Sequence, residues 1–171
     1  MYARDGVARY FPEQWERFRA LVSAAERDGD LVEAYARLLN DPDPAVRQTA
    51  ADEWCTWEMS YLTLQPGPAL SGRFADPRYR MVFARVVTHY FRHNCWLEEG
   101  QVLRDAGALA DIPGIMVHGR LDLGGPLLTA WQMKEAWPRA ELVVVDDAGH
   151  AADEPGMTRA LVRATDHFGK A

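Results

Sequence analysis

Two residues able to take part in proton transfer each follow a short apolar run in the last third of the chain. Asp122 comes after Gly114-Ile-Met-Val-His-Gly-Arg-Leu, and His150 comes after Glu141-Leu-Val-Val-Val-Asp-Asp-Ala-Gly. Runs that are apolar throughout are typical of strands covered on both faces, and functional groups of open α/β sheets gather at the carboxyl ends of such strands. An acid followed by a histidine gives two members of a Ser-acid-His hydrolase triad, in which the acid orients the imidazole that takes the serine proton. The alternative interpretation makes Asp122 a turn or cap residue and His150 an exposed loop residue.

The third member of such a triad is missing from the sequence. The α/β-hydrolase order is Ser, then acid, then His, with the serine in a Gly-x-Ser-x-Gly elbow upstream of both. The chain has three serines, Ser23, Ser60 and Ser71, and none of them has this setting of glycines. The sequence therefore predicts a chemistry that these 171 residues do not complete alone.

Other residues could bind a ligand, and each has a structural alternative. Glu58 closes the segment Trp54-Cys-Thr-Trp57-Glu58. A carboxylate beside indoles can bind an ammonium group, but it can equally be a solvated helix-face residue. His89 and His93 have a spacing seen in zinc sites, yet Tyr90 replaces the glutamate of His-Glu-x-x-His, so a metal site is disfavoured and no cofactor is expected.

Composition excludes several classes of protein. A content of 48% apolar residues in 171 supports a folded core, and a net charge of −6 without a basic run disfavours nucleic acid and membrane surfaces as partners. Cys55 and Cys95 lie apart in apolar segments, which predicts free buried thiols in a reducing compartment. No apolar run has the length of a membrane span, and we expect a cytoplasmic protein.

The elements that must position these residues change character along the chain. Residues 1–105 have helical periodicity, and a Pro-, Gly- and Ser-rich stretch at 66–77 predicts a surface loop. Residues 106–171 predict two parallel strands joined by a crossover helix at 126–137 and a last helix at about 154–168. Trp131 and Trp137 should pack the crossover helix against the sheet. The fold class is therefore α/β. Two strands are too few for a stable sheet, so further strand neighbours are expected.

Four helices are predicted within residues 1–105. They run from Pro12 with Trp15 and Phe18 inward, from Asp30 to Leu39, from Pro44 to about Leu64, and from Arg78 to about Asn94 with Val82, Val86 and Tyr90 on the apolar side.

Several blocks together resemble the C-terminal half of bacterial proline iminopeptidase (prolyl aminopeptidase), a family of serine exopeptidases with the α/β-hydrolase fold. The resemblance covers essentially the whole chain. The blocks that carry it are Arg9-Tyr-Phe-Pro-Glu-Gln-Trp15, Ala51-Asp-Glu-Trp-Cys-Thr-Trp-Glu58, Ala84-Arg-Val-Val-Thr-His-Tyr-Phe91, Ile112-Pro-Gly-Ile-Met-Val-His-Gly-Arg-Leu-Asp122, Ala130-Trp with Ala136-Trp-Pro138, and Asp147-Ala-Gly-His-Ala-Ala-Asp-Glu-Pro-Gly156.

The resemblance implies a helical cap over residues 1–105 and the C-terminal part of an α/β-hydrolase core over residues 106–171. It makes Asp122 and His150 the triad acid and base, and makes Glu58 the carboxylate that binds the amino group of an N-terminal proline. Two departures stand out: Val87 occupies the position of a second amine-binding glutamate, and Gly125 that of a cysteine associated with sensitivity to thiol reagents. The first should weaken amine binding or shift specificity, and the second should remove that sensitivity.

Two functions remain open at this point. One is a prolyl aminopeptidase-like serine exopeptidase that acts on peptides with an N-terminal proline, here as a C-terminal portion inactive without an N-terminal half. The other is a non-catalytic module that binds a peptide or partner, or one half of a split hydrolase.

Overall fold

A computed structural model describes residues 6–62 and 70–170. These residues divide into two compact units, one made of residues 6–61 and 70–97 and the other essentially of residues 98–170. The first unit is helical and the second contains the sheet. In the described part of the chain, no helix is both long and apolar enough to cross a bilayer.

Aspartates start three of the four α-helices of the first unit. Asp30 accepts hydrogen bonds from the backbone N–H groups of Val32 and Glu33, and Asp43 and Asp76 each accept one from the residue two positions on. Such caps satisfy N–H groups that have no partner inside the helix, and a proline at the first helical position needs none. The helices are α1 (Pro12–Ala20), α2 (Leu31–Leu38), α3 (Pro44–Leu62) and α4 (Pro77–Arg92), with 3-10 turns at Val7–Arg9, Gly72–Ala75 and Asn94–Trp96.

Stacked aromatic rings form the core of this unit. The Phe18 and Tyr35 rings lie 4.3 Å apart and nearly parallel, and Trp15 contacts Trp57 at 5.2 Å between ring centroids. The Tyr35 hydroxyl donates to the Phe18 carbonyl at 2.8 Å, so the one polar atom of this buried ring has a partner. The prediction that Trp15 and Phe18 face inward is confirmed.

The buried face of α4 differs from the predicted one. Val82, Val86 and Tyr90 are at least half exposed, whereas Ala84 and Thr88 are buried. Small residues let α2 and α4 pack closely, and Arg80 is held inside by Asp52 at 2.7 Å. A partly buried ion pair and small residues therefore lie on the inward side of this helix, and the apolar stripe lies at the surface of the described structure.

The second unit contains a two-stranded parallel sheet, as predicted. Strand β1 (Gly114–Gly119) pairs with β2 (Ala140–Val145) in a register that joins Gly114 to Ala140 and Gly119 to Val145. Its helices are the short α5 (Gln101–Arg104), the crossover helix α6 (Leu127–Ala136) and the final α7 (Pro155–Gly169), with a 3-10 turn at Asp105–Leu109. Helices α6 and α7 both contact the two strands.

The two tryptophans of the crossover segment differ in their packing. Trp137 lies against Gly114, where an added Cβ would come within 2.4 Å of the indole, and its Nε1 donates to the Ile112 carbonyl at 2.8 Å. Trp131 is 54% exposed, so the prediction that it packs against the sheet is wrong. Leu142 to Val145 are only half-buried in the described structure, where full coverage was expected, because each strand has a single described strand neighbour.

Other sequence predictions have mixed outcomes. Cys55 is buried, as predicted, but Cys95 is exposed, and it lies in a turn where Asn94, Cys95 and Trp96 all have positive φ. Helix α3 is described as far as Leu62, so its predicted end at Leu64 lies outside the described residues, as do residues 66–69 of the predicted loop. The described part of that loop contains the 3-10 turn Gly72–Ala75.

Candidate functional site

The carboxyl ends of β1 and β2 bring Asp122 and His150 together. The chain stays paired beyond the strands, because the Arg120 N–H donates to the Val145 carbonyl at 2.9 Å and the Leu121 N–H donates to the Ala148 carbonyl at 3.0 Å. Asp122 Oδ2 then lies 2.9 Å from His150 Nδ1. The two residues predicted from the sequence thus meet at one edge of the sheet.

The Asp122 carboxylate is buried and has a donor on each oxygen. Oδ2 faces His150 Nδ1, and Oδ1 accepts the Gly125 N–H at 2.7 Å. Burial alone would raise the pKa of Asp122, but the hydrogen bonds from His150 and Gly125 and the charges of nearby imidazoles outweigh it and lower that pKa. Asp122 is therefore ionised at neutral pH, and an ionised carboxylate can only accept.

This charge state determines the tautomer of His150. Because Asp122 accepts, His150 donates from Nδ1, and its Nε2 is the nitrogen that carries the lone pair in the neutral ring. The His150 side chain is 52% exposed, whereas that of Asp122 is 7% exposed. A buried acid holding a half-exposed imidazole in this tautomer is an arrangement suited to general base chemistry.

A second histidine lies beside the same carboxylate. His118, on β1, has Nε2 at 2.8 Å from the Gly125 carbonyl oxygen and at 3.9 Å from Asp122 Oδ2. Sequence reasoning missed it, because a histidine inside an apolar strand run looks like a core residue. Its position in the sequence could have indicated a role, because it lies four residues before Asp122 and one residue before the strand ends.

The loop that carries His150 is packed tightly on its inner side. The Gly149 N–H faces the buried carboxylate of Glu154, with oxygens at 3.1 and 3.2 Å. Gly119 lies so close that an added Cβ would come within 2.0 Å of the Gly149 carbonyl oxygen. Only glycine fits at position 119, and this close contact fixes the height of the histidine loop over the strand end.

Glu58 lies in the other unit, among aromatic rings. Its carboxylate is buried and accepts a hydrogen bond from Trp54 Nε1 at 2.9 Å. The solvated helix-face alternative is therefore wrong, because a residue 6% exposed does not face solvent. A buried carboxylate bonded to an indole N–H can bind a cation by its charge.

The remaining candidates show structural contacts. Ser23 Oγ donates to Glu26, and Ser60 Oγ donates to the Trp57 carbonyl of its own helix at 2.6 Å. The His93 ring stacks on Trp96 at 5.0 Å. Among residues 6–62 and 70–170, no three His, Cys, Asp or Glu side chains cluster in a way that could hold a metal ion.

Comparison with known proteins gives relatives whose names all contain proline iminopeptidase. The chain is 46% identical over 169 residues to a probable proline iminopeptidase of Streptomyces coelicolor, covering 96% of this chain and 51% of that protein. It is 40% identical to a proline iminopeptidase of Xylella fastidiosa (98% of this chain, 53% of that protein) and 36% identical to one of Arabidopsis thaliana (96% and 44%). The chain thus spans about half the length of the curated relatives it matches. No protein-family model matches it.

Proposed function

We propose that the chain is the C-terminal portion of a serine-type prolyl aminopeptidase with an α/β-hydrolase fold. The basis for this proposal is that nearly the whole chain matches about half the length of each proline iminopeptidase named above. The observation that carries the proposal is the hydrogen bond between the buried Asp122 carboxylate and His150 Nδ1 at 2.9 Å. The relatives' names supply the reaction class, hydrolysis that releases an N-terminal proline.

In this proposal His150 and Asp122 act as base and orienting acid. His150 Nε2 takes the proton of a serine hydroxyl as the serine oxygen attacks the carbonyl of the N-terminal proline. The proton then passes to the departing amine as the C–N bond breaks, and water hydrolyses the resulting ester by the same route. Asp122 remains ionised throughout and stabilises the imidazolium.

Glu58 would supply the preference for a free N-terminus. A buried carboxylate attracts the ammonium of an N-terminal proline more strongly than it attracts an internal peptide bond, which carries no charge. Its indole surroundings, with Trp54 donating to it, would exclude water from the bound amine. The half of the relatives that this chain does not match would supply the serine, the oxyanion donors and the strand neighbours of β1 and β2.

A single-chain chimera tests the proposal. The half of the Streptomyces coelicolor relative that this chain does not match is fused ahead of residue 1, and hydrolysis of a proline arylamide is compared with that by the 171-residue chain. We expect hydrolysis by the chimera and none by the chain alone. His150→Ala in the chimera should remove the activity, and His167→Ala, an exposed histidine of α7, should not. Undiminished hydrolysis by the His150→Ala chimera would refute the role of His150.

A further inference from the structure

Asp122 is connected to β1 through two hydrogen bonds that meet at Gly125. The Gly125 N–H donates to Asp122 Oδ1 at 2.7 Å, and the Gly125 carbonyl lies 2.8 Å from His118 Nε2. From this arrangement we infer that His118 is a positioning residue, which holds the 122–125 turn so that the Asp122 carboxylate faces His150. The consequence of this positioning for catalysis rests on the function proposed above, whereas the effect of His118 on the geometry of Asp122 and His150 does not.

The chemistry of the contact determines the tautomer of His118. A carbonyl oxygen only accepts, so Nε2 must carry a proton, and His118 is a donor in either charge state. The same N–H lies 3.9 Å from Asp122 Oδ2, too far for a hydrogen bond but near enough to favour the negative charge of the carboxylate. His118 thus holds the turn and presents the positive end of its N–H group to the oxygen that binds His150.

The turn needs such a support because two adjacent glycines make it costly to order. Leu123-Gly-Gly-Pro126 contains two adjacent glycines, which lose more conformational freedom on ordering than any other residue. His118 is well placed to restrain them, because it belongs to β1, where it pairs in register with Val144. Its side chain is 19% exposed, so water competes little for the Gly125 carbonyl.

The positioning role of His118 can be tested in the 171-residue chain itself, through the tautomer of His150 and the hydrogen bond that its Nδ1 proton makes. Nitrogen-15 NMR of the imidazoles gives the tautomer of each histidine, and the exchange rate of the His150 Nδ1 proton reports its hydrogen bond to Asp122. His118→Gln keeps a donor near the Nε2 position, whereas His118→Leu has similar volume and no donor. His167→Gln is the control.

We expect His118→Leu to speed exchange of the His150 Nδ1 proton about fivefold, since the loss of a hydrogen bond to an uncharged carbonyl is worth roughly that factor. His118→Gln should stay within about twofold of the unsubstituted chain, as should His167→Gln. Equal effects of the Gln and Leu substitutions would show that volume and not the donor matters, and would overturn the inference. An unchanged His150 signal in His118→Leu would also overturn it.

Two further measurements separate this inference from folding defects and from the proposed function. The unsubstituted chain must show His118 with a proton on Nε2, and the opposite tautomer would overturn the inference even if His118→Leu did not fold. In the chimera, His118→Leu should lower kcat with little change in KM. If the NMR effect is present but no chimera hydrolyses proline arylamides, the positioning role holds and the proposed function fails.

Discussion

Replacing Asp122 by asparagine separates the charge of this residue from its shape. The carboxylate accepts two hydrogen bonds, one from the fixed backbone N–H of Gly125 and one from His150 Nδ1. An asparagine has a single carbonyl oxygen, and the Gly125 N–H cannot turn away, so that oxygen should remain with Gly125. The amide NH₂ group then faces His150 Nδ1, which must present a lone pair instead of a proton.

The expected magnitude follows from these contacts. Hydrogen bonds to a charged group contribute about 1.5–3 kcal/mol and neutral ones about 1 kcal/mol, so the change at both bonds in Asp122→Asn should lower the free energy of unfolding by about 1–4 kcal/mol at pH 7. In the chimera, kcat should fall on the order of 10⁴-fold, as expected when the base is held in the wrong tautomer.

Urea unfolding and nitrogen-15 NMR of His150 are the assays. Asp146→Asn is the matched control, because Asp146 is 77% exposed and pairs at the surface with Arg120, and should change the unfolding free energy by less than about 0.5 kcal/mol. The proton of His150 should move from Nδ1 to Nε2 only in Asp122→Asn. If the tautomer stays the same and the loss of stability matches that of Asp146→Asn, the assignment of Asp122 as the orienting acid is refuted.

Four further predictions follow from particular contacts. The difference in unfolding free energy between the unsubstituted chain and Asp122→Asn should be fully present above the ordinary aspartate pKa of 3.8 and should shrink as pH falls through the lowered folded pKa of Asp122; a difference independent of pH down to pH 2 would contradict that lowered value. Gly119→Ala should destabilise the chain by about 3 kcal/mol or more, because its Cβ would meet backbone oxygen at 2.0 Å, whereas Gly125→Ala, with its nearest contact at 3.5 Å, should cost far less in the same urea titration. At pH 8 an aromatic disulfide should react with Cys95 alone, since burial raises the pKa of Cys55 to about 12, and a rapid reaction of the native Cys95→Ser chain would contradict this. Prolinamide should quench the indole fluorescence of the first unit, and Glu58→Gln should weaken that binding about tenfold or more, whereas Glu53→Gln, which breaks the surface pair with Arg17, should not; equal affinities would contradict the role of Glu58.

The sequence predicted the elements whose ends carry local signals. The predicted starts at Asp30, Pro44 and Arg78 lie within one residue of the observed ones, because a cap acts within two or three residues. The parallel strands were recognisable because a crossover helix separates two short apolar runs. The proximity of Asp122 and His150 followed from the same rule, since parallel strands end at the same edge of a sheet.

What the sequence did not reveal depends on contacts between distant residues. The inward face of α4 was mispredicted because the Arg80–Asp52 pair, 28 residues apart, outweighs an apolar stripe. The exposure of Cys95 is a local exception, in a turn of three positive-φ residues that contains no glycine to mark it in the sequence. The contact of His118 with Gly125 is visible only in three dimensions, because nothing in an apolar strand marks which residue will turn its ring toward the next turn.

Gly125 bonds Asp122 through its backbone N–H and His118 through its backbone carbonyl. Neither hydrogen bond would involve a side chain placed at this position. A Cβ built there lies 3.5 Å from Asp122 Oδ2, at ordinary contact distance. The position can therefore carry a Cβ beside the acid without a clash. In Gly125→Cys, alkylation of the thiol would act as a chemical lock on the Asp122–His150 pair, applied when desired and absent from the unmodified chain.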